Sequence, residues 1–100
     1  RQRLIDLINQ SSSNEVLLNS GDRHRAGVYQ LTTDLGKNIF EMTSSSLNLS
    51  FANDEEAGPL RIGPTFVDEN YGEILLNKLT NEIIVNLKDN QGQIVQSLRL

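Results

Sequence analysis

Residues 71–100, YGEILLNKLTNEIIVNLKDNQGQIVQSLRL, contain three apolar stretches separated by turn sequences. Apolar and polar residues alternate in the second and third stretches, and a period of two is typical of β-strands. Asp89-Asn90-Gln91-Gly92 supplies turn residues between them. The pattern predicts a β-meander over residues 70–100. Each of the last two strands places its apolar side chains on one face: Ile83, Val85 and Leu87, then Ile94, Leu98 and Leu100.

The chain upstream of the meander reads as one helix followed by shorter strands. Residues 1–10 repeat apolar side chains at helical spacing and predict an amphipathic helix. Residues 15–50 contain a short buried strand at Val16-Leu17-Leu18, then a hairpin that turns at 34–37. Residues 51–69, with both prolines and the solvated acidic run 54–56, predict a loop with at most one short strand.

These elements predict a β-rich α+β chain with one N-terminal helix and about six strands. Such a chain standing alone would leave edge strands bare, so we expect the rest of a parent chain or another chain to complete the sheet. The chain begins at Arg1 inside the helical pattern and without a methionine, which suggests a piece of a longer protein.

Composition narrows the classes of function. The net charge of −4 and the pI of about 4.8 give no sign of a general nucleic-acid-binding surface. No segment approaches the roughly 20 apolar residues of a membrane span. The absence of cysteine excludes disulfides and cysteine-based metal sites in this sequence.

Ser20-Gly21-Asp22-Arg23-His24 is the candidate for chemistry, because it follows a buried strand. In an extended backbone Asp22 and His24 would face one site, roughly 6–7 Å apart at Cα. A carboxylate and an imidazole suit zinc, iron or manganese. Gly21 would allow the tight turn. One histidine and one carboxylate fall short of the usual three protein ligands, so further ligands must come from elsewhere, or the segment is a plain turn with a surface histidine.

Arg23, Arg25 and Ser44 are weaker candidates for binding a phosphate. The two arginines would point away from the metal face of an extended backbone, whereas in a turn either guanidinium could bind a phosphate oxygen. Solvated arginines explain the same residues. Ser44 and the two serines after it could donate hydrogen bonds to phosphate or bond to nearby backbone. Asn70-Tyr71-Gly72 predicts a strand start or a bulge, with Tyr71 in the core.

Four of these features occur together in a known family. Residues 15–29 and 40–48 resemble the C-terminal part of alkaline phosphatase D-like (PhoD-like) enzymes of the calcineurin-like metallophosphoesterase superfamily. That family has a strand leading into Ser/Thr-Gly-Asp-x-His, a strand ending in Thr-Ser-Ser, an Asn-aromatic-Gly and a closing hairpin. Here the four occur in the same order and at similar spacing over nearly the whole chain, at Ser20–His24, Thr43–Ser45, Asn70–Gly72 and Ile83–Leu98.

The resemblance implies a C-terminal fragment of a four-layered α/β/β/α sandwich and a hydrolase that cleaves phosphate mono- or diesters with a metal-activated water. Asp22 and His24 would lie in the last ligand motif of a two-metal site that takes iron, calcium, zinc or manganese. The earlier motifs, Asp-x-His and Gly-Asn-His, have no counterpart before residue 15. We therefore expect the isolated chain to be inactive and to need the remainder of the parent. Relatives of this type are often periplasmic or secreted. The alternative is a non-catalytic β-sandwich module for binding or structure.

Overall fold

The computed structural model describes residues 1–49 and 58–100. A helix is followed by seven strands: α1 (Gln2–Gln10), β1 (Glu15–Ser20), β2 (Ala26–Thr32), β3 (Asn38–Ser44), β4 (Arg61–Phe66), β5 (Asn70–Asn77), β6 (Glu82–Asp89) and β7 (Ile94–Arg99). The β-rich class with one N-terminal helix is confirmed. β4 lies in the segment that was expected to be a loop with at most one short strand, and the acidic run 54–56 lies outside the described residues.

The strands form two sheets. The four-stranded sheet has the order β1-β3-β2-β4, and the three-stranded sheet is the β5-β6-β7 meander. β2 and β3 are antiparallel and joined by a tight turn in which Thr33 N donates to Lys37 O at 2.9 Å and Gly36 has φ 76°. β1 pairs in parallel with β3, with Leu17 opposite Phe40. β3 therefore separates β1 from β2, although β1 and β2 are consecutive in sequence.

The two sheets pack face to face over one small core. Its buried members are Ala26, Val28, Met42, Val85 and Leu87, each no more than 6% exposed. Leu17, Ile62, Phe66, Ile83, Leu98 and Leu100 pack around them. Each fully buried aliphatic side chain stabilises the fold by about 1.5–3 kcal/mol relative to exposure. The sandwich thus depends on few side chains, and it forms because the inward positions of both sheets are mostly apolar.

The strands of the two sheets lie opposite one another in pairs. β5 lies over β3, where Gly72 approaches Met42 so closely that an added Cβ would be 2.7 Å from the Met42 Cε. β6 lies over β2, since Val85 and Leu87 share the core with Val28. β7 lies over β4, where Gln96 Nε2 donates to Ile62 O at 2.6 Å.

Helix α1 covers part of the outer face of the four-stranded sheet. Its Leu4 and Ile5 line a groove of about 450 Å³ with outward-facing sheet residues that include Leu18 and Tyr29. At the C-terminal end of the helix, Ser11 N donates to Leu7 O and Ile8 O, and Lys37 Nζ donates to Ile8 O at 3.1 Å and to Ser11 O. The layers are therefore helix, sheet and sheet. Within the described residues no helix is long and apolar enough to cross a membrane.

The structure of the meander confirms the predicted buried face of β6. It also shows that the predicted inward positions of Ile94 and Tyr71 are wrong. Ile83, Val85 and Leu87 share the inner face, as the alternation predicts. Ile94 does not share a face with Leu98, because β7 carries one extra residue between its pairs with Leu87 and Lys88. Ile94 consequently turns outward and is 57% exposed.

Tyr71 was expected in the core, and this prediction is wrong. Tyr71 is 37% exposed and pairs with Lys88 on the outer face of the three-stranded sheet. Because successive residues of a strand face opposite sides, its neighbour Asn70 faces inward and is buried.

A row of polar side chains crosses the outer face of this sheet. Ser97 Oγ donates to Asn86 Oδ1 at 2.7 Å, and Asn86 Nδ2 donates to Glu73 Oε1 at 3.0 Å. Lys88 Nζ donates to Glu73 Oε2 at 2.8 Å. The hydrogen bonds from Lys88 and then Asn86 hold the pKa of Glu73 below its ordinary value, and the carboxylate of Glu73 raises the pKa of Lys88.

Candidate functional site

The segment 21–25 is a turn that crosses the end of β3. Ser20, the last residue of β1, lies beside Thr43, and Ala26, the first residue of β2, lies beside Ser44. The chain must therefore pass over the C-terminal end of β3 within five residues. The chain reverses direction in this segment, and Asp22 and His24 adopt left-handed backbone conformations there, with φ 63° and 53°. The extended backbone from which a shared orientation of Asp22 and His24 was inferred is therefore wrong for this segment.

Left-handed backbone is unfavourable for residues with a Cβ, by about 1–2 kcal/mol each, and aspartate tolerates it better than most. Gly21 lies outside the strained positions: an added Cβ would be 3.7 Å from the Ser45 Cβ, which is ordinary contact. The turn that Gly21 was predicted to allow is thus made by its neighbours Asp22 and His24.

Ser45 holds this crossing segment in place. The backbone N–H of Arg23 donates to Ser45 Oγ at 2.9 Å, and Ser45 Oγ donates to Arg25 O at 3.4 Å. One hydroxyl therefore acts as acceptor and donor to two backbone groups of the loop. This use of Ser45 is long-range, and the sequence pattern gave no sign of it beyond the serine run at 44–46.

His24 is half-buried, and its Nδ1 is held by a backbone carbonyl. Its Nδ1 lies 2.9 Å from Leu49 O. A carbonyl oxygen carries no proton, so Nδ1 must be the donor, and in the neutral ring Nε2 then carries the lone pair. Metal-ligating histidines commonly donate their second nitrogen to a backbone carbonyl in this way, which fixes both tautomer and ring orientation. Asp22 is exposed on the same loop.

The weaker phosphate candidates have partners within the protein. Arg25 Nε donates to Arg23 O at 3.4 Å, so the turn brings the two arginines together through the backbone. Ser44 Oγ donates to Asn70 Oδ1 at 2.8 Å, and Ser44 would have to exchange this bond to donate to a phosphate. Ser20 Oγ donates to Glu41 Oε1 at 2.6 Å.

Asn70 joins the three-stranded sheet to this region. Its side chain, 1% exposed, accepts from Ser44 and donates through Nδ2 to Asp68 O at 2.6 Å. Its backbone N–H donates to Ser46 O at 2.9 Å. The sequence pattern predicts only a strand start or a bulge at Asn70. The structure thus brings together three separate stretches, 20–25, 43–46 and 70–72, and Asn70 is the link that the local pattern missed.

The donor set around the loop is small. Within residues 1–49 and 58–100, no group of three or more acidic or histidine side chains is placed to hold a metal ion. In the same part of the chain, the buried hydroxyls of Thr43 and Ser46 have no hydrogen-bond partner. A cleft of about 330 Å³ opens beside the loop, between the ends of β1 and β5, and is lined by Asn19, Ser20, Met42, Ser44, Gly72 and Ile74. No family model, curated protein or solved structure matches this chain.

Proposed function

We propose that this chain is the C-terminal portion of a metal-dependent phosphatase or phosphodiesterase of the alkaline phosphatase D-like type. The observation that carries the proposal is the contact of His24 Nδ1 with Leu49 O, which in the neutral ring assigns the lone pair to Nε2, as in histidines that bind metals. Supporting it, three of the four stretches on which the resemblance rests, 20–24, 43–45 and 70–72, lie together at one end of the sandwich.

The position of the loop also favours this function. It follows β1 at the edge where the parallel strands β1 and β3 both end. In folds with parallel strands, ligands bind outside the carboxyl ends of the strands. The helix–sheet–sheet order corresponds to three layers of a four-layered sandwich, and the remainder of the parent chain would supply the fourth layer and the missing ligands.

His24 would be a metal ligand through Nε2, and Asp22 a ligand or a carboxylate that orients one. When bound, a metal pair of this kind supplies polarisation of phosphate oxygens and a water of lowered pKa. Arg23 and Arg25 would bind phosphate oxygens from the same turn, with Ser44 as a weaker donor. Iron, calcium, zinc or manganese would suit, and a periplasmic or secreted location belongs to the same proposal.

Three variants of the full-length protein test the assignment. His24→Asn keeps a side-chain N–H near Leu49 O but removes the ligand nitrogen, His24→Ala removes both, and Asn90→Ala is a distant exposed control. Bound metal is measured by elemental analysis. Turnover is measured with p-nitrophenyl phosphate and bis-p-nitrophenyl phosphate as substrates. We expect both His24 variants to lose metal and at least about 100-fold in turnover, with Asn90→Ala unchanged. Wild-type metal content and turnover in His24→Ala would refute the assignment.

A second candidate is a non-catalytic β-sandwich module for binding or structure. The two packed sheets are those of a β-sandwich module. The left-handed backbone of Asp22 is common for aspartate in turns that have no catalytic role. Here His24 would only brace the loop, so His24→Ala would lower the free energy of unfolding by about 1 kcal/mol and His24→Asn by less. A full-length protein that hydrolyses neither phosphoester and is purified without metal would favour this candidate.

A further inference from the structure

The sandwich has four strands on one side and three on the other. β7, β6 and β5 lie over β4, β2 and β3, respectively. β1 is the fourth strand of its sheet and, within the described residues, has no strand opposite it. The inner face of β1, which carries Glu15, Leu17 and Asn19, therefore projects past the edge strand β5 by one strand.

The free edge of β5 borders this projection. Ile74 and Leu76 face inward because they pair with Val85 and Ile83 of the inner face, yet Leu76 is 65% exposed. The edge carries no charge between Glu73 and Lys78 and no proline. Natural edge strands are usually shielded by charge, proline or a covering segment, so the uncharged apolar stretch that follows Glu73 in β5 is typical of an edge that is paired.

We propose that one extended chain segment docks in this step, pairing with the free edge of β5 and lying over the inner face of β1. It would fill the fourth position and continue the sheet-to-sheet interface that the other three strand pairs already form. The cleft lined by Asn19, Ser44 and Ile74 is the end of this step nearest the crossing loop.

The shape of the step selects a single segment rather than a second copy of this protein. β1 projects beyond β5 by about one strand spacing, roughly 4.8 Å. If two copies paired their β5 edges antiparallel, with both four-stranded sheets on the same side, each β1 would occupy the space of the other copy's β3. A lone strand has no second layer and avoids this collision.

The residues of the step define the chemistry of the segment. The inward positions near Leu17 and Ile74 call for apolar side chains, since both are apolar and incompletely covered. At the other end the floor is polar, with Asn19 and Ser44, and calls for a small or polar side chain. The partner is therefore an extended peptide whose alternate residues are mostly apolar, ending in a small or polar residue near Ser44.

A tethered peptide tests the proposal at high effective concentration. The segment Thr-Val-Thr-Val-Thr-Val-Ser is attached after Leu100 by a Gly/Ser linker of about 30 residues, which spans roughly 30 Å on average. The protein measures 38 × 34 × 19 Å, so either orientation of the segment can reach the step. Tethering gives millimolar effective concentration, and half-occupancy would slow amide exchange in β5 at least about twofold.

Matched controls locate the docking. A segment with proline in place of each valine cannot pair and should give no protection. Leu76→Lys should abolish protection in β5, whereas Leu79→Lys, in the exposed 78–81 turn beyond β5, should leave it intact. Protection at β4, β7 or the α1 groove instead of β5 would overturn the proposal, as would no protection at all. A concentration-dependent dimer that protects β5 in the untethered protein would overturn the choice of occupant.

Discussion

Asn70 offers the sharpest test of how the two sheets are joined. Asn70→Ala removes two part-buried side-chain hydrogen bonds, from Ser44 Oγ at 2.8 Å and to Asp68 O at 2.6 Å. Each is worth about 1 kcal/mol net, and each partner left unsatisfied adds a desolvation penalty of about 1 kcal/mol or more. The backbone bond to Ser46 O survives the substitution. We therefore expect the free energy of unfolding to fall by about 2–4 kcal/mol, a large share of the total for a domain of this size.

Urea denaturation followed by circular dichroism measures this loss, and a thermal scan should show Tm lower by at least about 8 °C. Asn90→Ala is the matched control, because Asn90 makes an exposed bond to Glu69, and it should cost less than about 1 kcal/mol. In a double-mutant cycle, Ser44→Ala should couple to Asn70→Ala by about 1 kcal/mol. An Asn70→Ala protein within about 0.5 kcal/mol of wild type would refute the bridging role.

Two further outcomes follow from the packing and the charges. Gly72→Ala should lower the free energy of unfolding by about 1 kcal/mol, because the Met42 thioether must move aside, while Gly58→Ala, with nothing within 4 Å, should be neutral or stabilising by about 0.5 kcal/mol. The methyl NMR signal of Met42, the single methionine, should shift only in the first variant. The pKa of Glu73 lies below its ordinary 4.5, so its contribution is full above that pH and is lost as the pH falls through the lowered pKa. Lys88, with its pKa raised from 10.5, contributes fully below that pH and loses its contribution above it. Unfolding curves of wild type and Glu73→Gln should therefore converge in acid, and parallel curves down to about pH 2 would contradict the pairing.

The strands of the meander were predictable because their signal is local. Alternation in β6 reports directly on one buried face, and the turn residues fix the connection. The position of Ile94 was not predictable, because a bulge adds one residue to β7 and inverts the faces beyond it. The prediction that Tyr71 lies in the core is wrong for a related reason. An aromatic residue in a strand suggests burial, but the strand's pairing assigned the inward position to Asn70.

The candidate site was predictable only as a list of residues. Spacing picked out Asp22 and His24, and their metal-binding role stays a prediction. The left-handed turn between them could not be foreseen, since it arises because β3 lies between β1 and β2. The roles of Ser45 and Leu49 are likewise tertiary, because both contact the loop from more than twenty residues away in sequence.

The placement of β3 between β1 and β2 also has a consequence for the order of folding. The β2–β3 hairpin closes through a short turn, so its loop-closure entropy is small and we expect it to form early. Among the described strands β1 pairs with β3 alone and must find it across the intervening hairpin, so it joins later. Residues 21–25 acquire their crossing path only when β1 joins. A protein caught before that step would have a formed hairpin but no ordered His24 loop.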